Sequence, residues 1–265
     1  MVDLKTLRDL FDREQRLEMV YPDMQKEASP EIVRFVRPKP YHSFILYTRL
    51  DAANADRVIR EQQAAFAERD LVFNWKVYDH DEPADLKERL RAQRFLPTAP
   101  EAVMVLDLSE APAALLAAPA VVVRRLTDSA QLQAVVQVEE AVWGDNFGWI
   151  HQRLGSHMQQ PGYLSVFVAY IAERPVGAAW VYFHADSQFA DLWGGSTTPD
   201  ARRQGIYTAL LAARAQEALT RGCRYLVVDA SEMSRPILAR HGFCQLTTAT
   251  DYTWRPDSSF GDESI

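Results

Sequence analysis

The stretch that decides the fold is Leu192-Trp193-Gly194-Gly195-Ser196-Thr197-Thr198-Pro199-Asp200-Ala201-Arg202-Arg203-Gln204-Gly205-Ile206-Tyr207-Thr208-Ala209-Leu210-Leu211. It predicts a strand that enters a turn at Thr198-Pro199, followed by a basic pair, a glycine and the start of a helix. The first amides of a helix have no partner inside the helix, and the helix dipole adds partial positive charge at that end. Gly205 lets the backbone close around an anion without a Cβ in the way. We therefore expect a site for a pyrophosphate, and the alternative is an ordinary turn with its two arginines in solvent.

The stretch matches neither of two common phosphate-binding motifs. It lacks the Gly-Lys-Ser/Thr of a Walker loop and the three-glycine spacing of a Rossmann fingerprint. Around it the residue pattern predicts strands at 121–126, 164–173, 176–184 and 189–197, with helices at 129–142 and 147–158 before them. A helix at 205–221, a strand at 224–229, a short helix at 235–240 and two last strands follow.

The spacing Arg202-x-x-Gly205-x-Tyr207 resembles the signature of the GNAT (Gcn5-related N-acetyltransferase) family, Gln/Arg-x-x-Gly-x-Gly/Ala, between a strand and a long helix. The order of predicted elements over residues 121–256 is also similar to that family. Tyr207 departs from the pattern, which has a small residue at this position. The resemblance implies an α/β fold with a mixed sheet. It also implies acetyl-CoA as co-substrate and transfer of an acetyl group by direct attack of an acceptor amine.

The resemblance also implies where the coenzyme binds. The backbone at Thr197 and Thr198 would pair with the pantetheine arm, and the amides from about Arg203 to Thr208 would hold the pyrophosphate. Ser231 would bond the coenzyme, or else cap the helix that follows it. The expected coenzyme-binding residues are therefore Thr197, Thr198, Arg202, Arg203, Gln204, Gly205, Ile206, Tyr207, Thr208 and Ser231.

Two aspartates are candidates for the base that removes the ammonium proton. Asp191 shares a predicted strand face with Trp193 and Gly195, and its alternative role is a strand-end carboxylate in water. Asp229 ends the neighbouring strand and could instead serve a turn or a cap. Counting back from Gly242-Phe243, Leu238 stands where many GNAT proteins carry a tyrosine acid, so the usual acid is absent. Tyr207, Ser231 or water could replace it, and the alternative is that the thiolate leaves without a dedicated acid.

The N-terminal half has a different character. The first of the 11 glycines is Gly144, so we expect no phosphate loop before it. A helix at 52–69 and an alternating strand at 73–78 nevertheless predict a folded unit. A faint echo of the strand, turn and helix pattern suggests a degenerate GNAT-like domain at 1–110 without a phosphate loop, and the alternative is two ordinary βα units, each with an aromatic residue after the helix. Residues 111–120, rich in Ala and Pro, form a linker or a short helix before the GNAT domain at 121–256, and 257–265 form a polar tail.

Composition excludes several classes of function. The formal net charge of -7 argues against a nucleic-acid binder. Neither the six histidines nor the two cysteines show metal-ligand spacing, so no metal is expected. No apolar run resembles a signal peptide or a membrane span, which favours the cytoplasm. We expect a small-molecule or peptide amine acceptor, no nucleic acid or membrane partner, and a monomer or homodimer. The alternative function is a non-catalytic acyl-CoA sensor or protein-interaction module on a GNAT scaffold.

Overall fold

The computed structural model describes residues 3–256, and the predicted polar tail at 257–265 lies outside them. Contacts divide these residues into two compact units. The first unit comprises 3–103, Asp229–Arg235 and 245–256, and the second comprises Met104–Val228 and Pro236–Cys244. Each unit therefore contains residues that are distant in sequence. None of the helices within residues 3–256 is long and apolar enough to cross a membrane.

The first unit is a mixed sheet with helices. Its strands follow the spatial order β1-β2-β3-β4-β12, with β5 also paired to β12. Only the β3–β4 pair is parallel among the pairs described in this unit. The elements are α1 (Leu4–Phe11), a π-helix (Asp12–Leu17), β1 (Gln25–Ala28), β2 (Ile32–Val36), β3 (Ser43–Thr48), α2 (Ala55–Glu68), β4 (Phe73–Tyr78), α3 (Leu86–Ala92), β5 (Leu96–Pro97) and β12 (Cys244–Trp254), which joins this unit from Gln245 onward.

The core of the first unit follows from two simple periodicities. In β4 every second side chain, Phe73, Trp75 and Val77, is buried, as expected of a strand that alternates between two faces. Helix α2 buries Val58, Ile59 and other residues at helical spacing against the same core.

The second unit places a sheet between helices. Strand β6 (Glu101–Asp107) enters it at Met104, and the spatial order is β6-β11-β10-β9-β8-β7. Strands β7 to β10 pair antiparallel, whereas β10 and β11 are parallel. The remaining elements are α4 (Ala113–Leu116), β7 (Val122–Arg125), α5 (Gln133–Trp143), α6 (Gly148–Met158), β8 (Leu164–Ile171), β9 (Arg174–Phe183), β10 (Phe189–Thr197), α7 (Ile206–Thr220), β11 (Tyr225–Ala230, in this unit through Val228) and α8 (Arg235–Arg240).

Alternating residues of β9 bind helices on opposite faces of this sheet. Trp180 and neighbouring strand residues pack in one cluster with α5 and α6. Gly177, on the other face, lies under α7: a Cβ built there would approach Ile206 Cγ2 at 2.5 Å and Leu210 Cδ1 at 3.0 Å. Glycine is therefore required for α7 to approach the sheet so closely, which fixes the position of the helix that carries the candidate site.

Two segments, the expected linker and the C-terminal strand, do not follow the division of the chain into two consecutive domains. In the segment 111–120 the short-helix alternative is what the structure shows: α4 buries Leu115, and Gln216 Nε2 on α7 donates to the Leu115 and Ala117 carbonyls at 3.1 and 2.8 Å. The C-terminal strand β12, included in the expected domain 121–256, pairs with β4 in the first unit. The domains expected from the sequence, 1–110 and 121–256, therefore remain a proposal, and the two units defined by contacts do not follow those boundaries.

Candidate active site

The turn between β10 and α7 has an unusual backbone. A short 3-10 helix at Pro199–Ala201 leads out of β10. Arg203 (φ +62°) and Gly205 (φ +78°) then adopt left-handed conformations, and Gly205 is the N-cap of α7. Left-handed residues in a turn before a helix let successive amides face a common concavity, which suits an anion.

The first turn of α7 provides unpaired donors. The first hydrogen bond inside the helix runs from the Ala209 amide to the Gly205 carbonyl at 2.9 Å. The amides of Ile206, Tyr207 and Thr208 have no hydrogen-bond partner among residues 3–256. Residues 202–205 are exposed, and a Cβ built at Gly205 would meet no atom within 4 Å. An anion can therefore reach the end of the helix where the dipole favours it.

Charged side chains around the turn leave an excess of positive charge. Arg202 and Arg203 are exposed, and Arg202 Nε donates to the Thr197 carbonyl at 3.4 Å. The carboxylate of Asp200 is engaged by Arg174 at 2.5 Å. One acidic group near the turn is thereby paired, while the two arginines remain able to bind an anion.

Strand β10 leaves its parallel neighbour beside this turn. The described pairs between β10 and β11 end at Asp191 and Val227, although β10 continues to Thr197. On its other edge, β10 bulges relative to β9 between Gly194 and Ser196. A bulge bends the strand and redirects its polar groups. The C-terminal part of β10 consequently has an edge that is not paired with β11.

A carboxylate that the sequence reasoning missed lies against the bulge. Glu139 of α5 is 4% exposed and accepts hydrogen bonds from Ser196 Oγ at 2.9 Å and Trp143 Nε1 at 3.0 Å. Its Oε1 is buried without a partner among residues 3–256. Burial raises the pKa of Glu139, although both hydrogen bonds oppose the rise. A signal was present, because Glu139 follows buried Val135 by four residues and so shares the apolar face of the helix.

Comparisons with known proteins agree with this geometry. A family model described as "Acetyltransferase (GNAT) domain" matches residues 107–228. The solved structure of a GCN5-related N-acetyltransferase from Kribbella flavida is similar at a TM-score of 0.70 and 15% identity, covering 93% of this chain and 94% of that one. The family match thus covers residues 107–228, and the structural likeness shows a GNAT fold. A tandem GNAT protein from the clavulanic acid biosynthesis pathway is similar over 90% of this chain and 85% of its own, at a TM-score of 0.59 and 15% identity.

Two further comparisons complete this result. A functionally unknown conserved protein from Staphylococcus epidermidis is similar at a TM-score of 0.63 and 14% identity, over 89% of this chain and 96% of that one. No curated protein sequence matches the chain significantly. At these identities the structural likenesses establish the fold. They extend over both halves of the chain, so the expectation of a GNAT fold with a GNAT-like N-terminal half is confirmed.

The residues expected to contact pantetheine, Thr197 and Thr198, already use some of their backbone hydrogen-bonding groups within the protein. Thr197 pairs with Gly177 of β9, and its hydroxyl is buried without a partner among residues 3–256. The amide of Thr198 donates to the Val176 carbonyl at 2.9 Å, and its carbonyl accepts from the Ala201 amide at 3.0 Å. Both backbone groups of Thr198 are therefore already bonded, and the Thr197 carbonyl accepts from Arg202 Nε, so pantetheine pairing at these two residues stays a proposal.

The two aspartates expected as bases are both engaged. Asp191 ends the pairing with β11, and its carboxylate lies 3.2 Å from His184 Nε2. It is therefore a paired and largely buried group, not a carboxylate in water. Asp229 belongs by contact to the first unit and forms an ion pair with Lys76 there. That pair occupies the carboxylate of Asp229, so Asp229 is the weaker candidate for a base.

Ser231 is also placed by local contacts in the first unit. Its carbonyl accepts from the Arg235 amide at 2.9 Å, and its hydroxyl accepts from the Ser234 amide at 3.4 Å. These bonds fit the capping role, while coenzyme binding by Ser231 stays a proposal. Gln204, another expected coenzyme residue, braces the turn by donating from Nε2 to the Asp200 carbonyl at 3.1 Å.

Two departures from the GNAT pattern have clear positions. The ring of Tyr207 lies 3.2 Å from a Cβ built at Gly195, so this side chain covers the bulge. Burial raises the pKa of Tyr207. Leu238 is fully buried in α8 and carries no proton to donate.

Within residues 3–256, no group of three or more His, Cys, Asp or Glu side chains is arranged to hold a metal ion.

Proposed function

We propose that the protein is an acyl-CoA-dependent N-acyltransferase that transfers an acetyl group from acetyl-CoA to an amine. The observation that carries the proposal is the open turn before α7, where the amides of Ile206, Tyr207 and Thr208 are unpaired. Coenzyme A carries a diphosphate, and such a turn is suited to bind it. The match of residues 107–228 to the GNAT acetyltransferase domain model supports the same reaction at the level of the family.

Glu139 is the base that the geometry favours. An amine attacks a thioester only after it has lost the ammonium proton, and a carboxylate with a raised pKa accepts a proton better at neutral pH than an ordinary one. Glu139 has such a pKa, an unbonded oxygen and a position against the bulge of β10. The ammonium proton passes to Glu139 directly or through water, and the neutral nitrogen then forms the new C–N bond. The C–S bond breaks with its electron pair on sulfur, and the second proton of the nitrogen passes to water. Asp191, paired with His184, is the second candidate for this role.

The acceptor is proposed to be a cationic small-molecule or peptide amine. Trp143 and Trp149 of the second unit are exposed, and Trp143 bonds Glu139 directly. Trp193 of β10 is also exposed. Exposed indole rings attract cations, and the net charge of -7 favours them over the whole surface. A cytoplasmic location and a monomeric or homodimeric state complete the proposal.

The test is turnover with a panel of amines. Purified protein is incubated with acetyl-CoA and polyamines, aminosugars or peptides with free N-termini, while free thiol and the mass of the product are measured. The proposal predicts an acetylated amine whose formation matches thiol release and is lost in Gly205→Glu. If acetyl-CoA binds and no amine is acetylated, the enzyme proposal fails.

That second outcome would favour a binding module. The buried Leu238 at the usual acid position is the observation that favours an acyl-CoA sensor. A sensor and an enzyme share the diphosphate turn, so binding alone does not separate them. If acetyl-CoA does not bind at all, neither function stands.

A further inference from the structure

Arg214 is a buried cation without an acidic partner. It lies on α7 at 2% exposure, where Nε donates to the Leu210 carbonyl at 3.2 Å and Nη1 to the Trp193 carbonyl at 3.3 Å. Both acceptors are neutral, and no carboxylate pairs with Arg214 among residues 3–256. Burial lowers its pKa to about 10. A buried charge of this kind costs free energy unless an opposite charge joins it.

Another arginine of the chain shows the ordinary arrangement. Arg16 in the first unit is 1% exposed, and Asp81 binds it with both carboxylate oxygens at 2.7 and 2.9 Å. Asp12 adds a second acidic partner at 2.7 Å. These carboxylates raise the pKa of Arg16. Arg214 has the burial of Arg16 without its counter-ions, which indicates that a negative charge from outside the chain completes the site.

The position of Arg214 identifies which part of a ligand would meet it. The Trp193 carbonyl that it binds lies on β10 after the last pair with β11. Its Nη2 lies 3.9 Å from a Cβ built at Gly195, the glycine of the bulge, and Tyr207 lies between the bulge and the start of α7. Arg214 is eight residues beyond Ile206, or about 12 Å along the helix from the diphosphate turn. A coenzyme bound at the turn and extended along β10 would bring its reacting end toward this guanidinium.

Acyl transfer creates a negative charge at that end. When the amine nitrogen bonds to the carbonyl carbon, the C–S bond breaks and its electron pair stays on sulfur as the CoA thiolate. The ammonium proton goes to the base before the attack, and the second proton of the nitrogen passes to water as the C–S bond breaks. The aliphatic Leu238 has no proton to give to the sulfur. We propose that Arg214 binds the departing CoA thiolate as its ion-pair partner, a role that rests on the proposed acyl-CoA function.

The proposal predicts a property of the bound product. A cysteine thiol has a pKa of about 8.5, and a neighbouring cation lowers it to the range of roughly 3.5–7.5, so the same effect is expected for the thiol of CoA. A guanidinium stays charged and gives up no proton at neutral pH, so it stabilises the thiolate without acting as an acid. The thiol of bound CoA should therefore titrate at least about one unit below the thiol of free CoA.

The experiment follows the ultraviolet absorbance of the thiolate while bound CoA is titrated with base. It compares the unmodified protein, Arg214→Lys, which keeps the charge, and Arg214→Met, which removes it. We expect a lowered thiol pKa in the unmodified protein, a smaller lowering in Arg214→Lys and none in Arg214→Met. The rate of acetyl transfer by Arg214→Met should fall about tenfold for each unit of lowering that is lost.

Desulfo-CoA, which keeps the diphosphate and lacks the thiol, is the control ligand. Its affinity should be equal in all three proteins, which shows that each is folded with an intact turn. An unshifted thiol pKa in the unmodified protein, or an unchanged shift in Arg214→Met, overturns the proposal for Arg214 and leaves the acyltransferase proposal standing. Failure of desulfo-CoA to bind the unmodified protein overturns both.

Discussion

Replacing Gly205 by glutamate should abolish coenzyme binding while leaving the chain folded. The residue has φ +78°, and an added Cβ would meet no atom within 4 Å. The folding cost is therefore limited to left-handed strain of about 1–2 kcal/mol, partly offset because an acidic group at a helix N-terminus is favourable by about 0.3–1 kcal/mol. Stability should change little.

Binding should respond far more strongly than stability. A carboxylate at about 5 Å from a phosphate repels it by roughly 3 kcal/mol at an effective dielectric constant of about 20 and by less than about 1 kcal/mol in bulk water. Two phosphate charges at this exposed turn then give a loss of about 2–4 kcal/mol. That loss corresponds to a rise of roughly thirty- to a thousand-fold in the dissociation constant of CoA.

Gly222 provides a matched control. It follows the C-terminal end of the same helix, has φ +79°, and an added Cβ there also meets no atom within 4 Å. Gly222→Glu thus introduces the same side chain with the same backbone strain, about 24 Å away along the helix from the turn. Calorimetric titration with CoA should show lost affinity in Gly205→Glu and unchanged affinity in Gly222→Glu. Equal affinities in the two variants would refute the assignment of the turn.

Three other substitutions test separate parts of the account. Glu139→Gln should lower kcat by about a hundredfold or more and remove an acidic limb of the pH–rate profile. Because burial raises the pKa of Glu139, the acidic limb of the unmodified protein should lie above the ordinary glutamate range, and activity should be lost as the pH falls through it. An acidic limb that persists in Glu139→Gln would point to Asp191 as the base. Arg214→Met should raise the free energy of unfolding of the unliganded protein by up to about 3 kcal/mol. The reason is that the lowered pKa of Arg214, about 10, reflects the free-energy cost of burying its charge. A loss of stability in urea unfolding would contradict this. Asp229→Asn should lower the free energy of unfolding by about 1–2 kcal/mol, because it breaks a partly buried ion pair with Lys76. The same substitution should change kcat less than threefold. A large loss of kcat at unchanged stability would instead indicate that Asp229 is the base.

The parts of the structure that the sequence predicts are local. The turn from Thr198 to Gly205 needs only a proline, a glycine and the start of a helix, and the helix α7 begins at Ile206 as the pattern requires. The alternation of β4 and the apolar face of α2 likewise follow from spacings of two and of three to four residues. Such features are decided by neighbouring residues, so a single sequence contains them.

The parts that the sequence did not predict depend on distant contacts. Glu139 and Ser196 are 57 positions apart, and periodicity gives the buried face of α5 but not the strand that it meets. Arg214 has the spacing of a core residue on α7, and its missing counter-ion becomes visible only when every neighbour is placed. The pairing of β12 with β4 joins residues more than 170 positions apart, which local pattern cannot specify.

The dependence on distant contacts also explains why Asp191 on β10 is the base expected from the sequence. Asp191 stands on a strand next to the turn, so its position was accessible to local reasoning, whereas its partner His184 comes from the preceding strand region. We favour Glu139 over Asp191 as the base because Glu139 is buried and has an oxygen without a partner among residues 3–256. Both are properties of the folded chain.

The most direct measurement is an amide-resolved NMR titration of the labelled protein with CoA. The account predicts that the largest shifts fall on the amides of residues 203–208 and saturate together with the binding curve, because these hydrogens bond the diphosphate. If CoA binds while these amides stay unperturbed and the largest shifts lie elsewhere, the turn before α7 is not the coenzyme site.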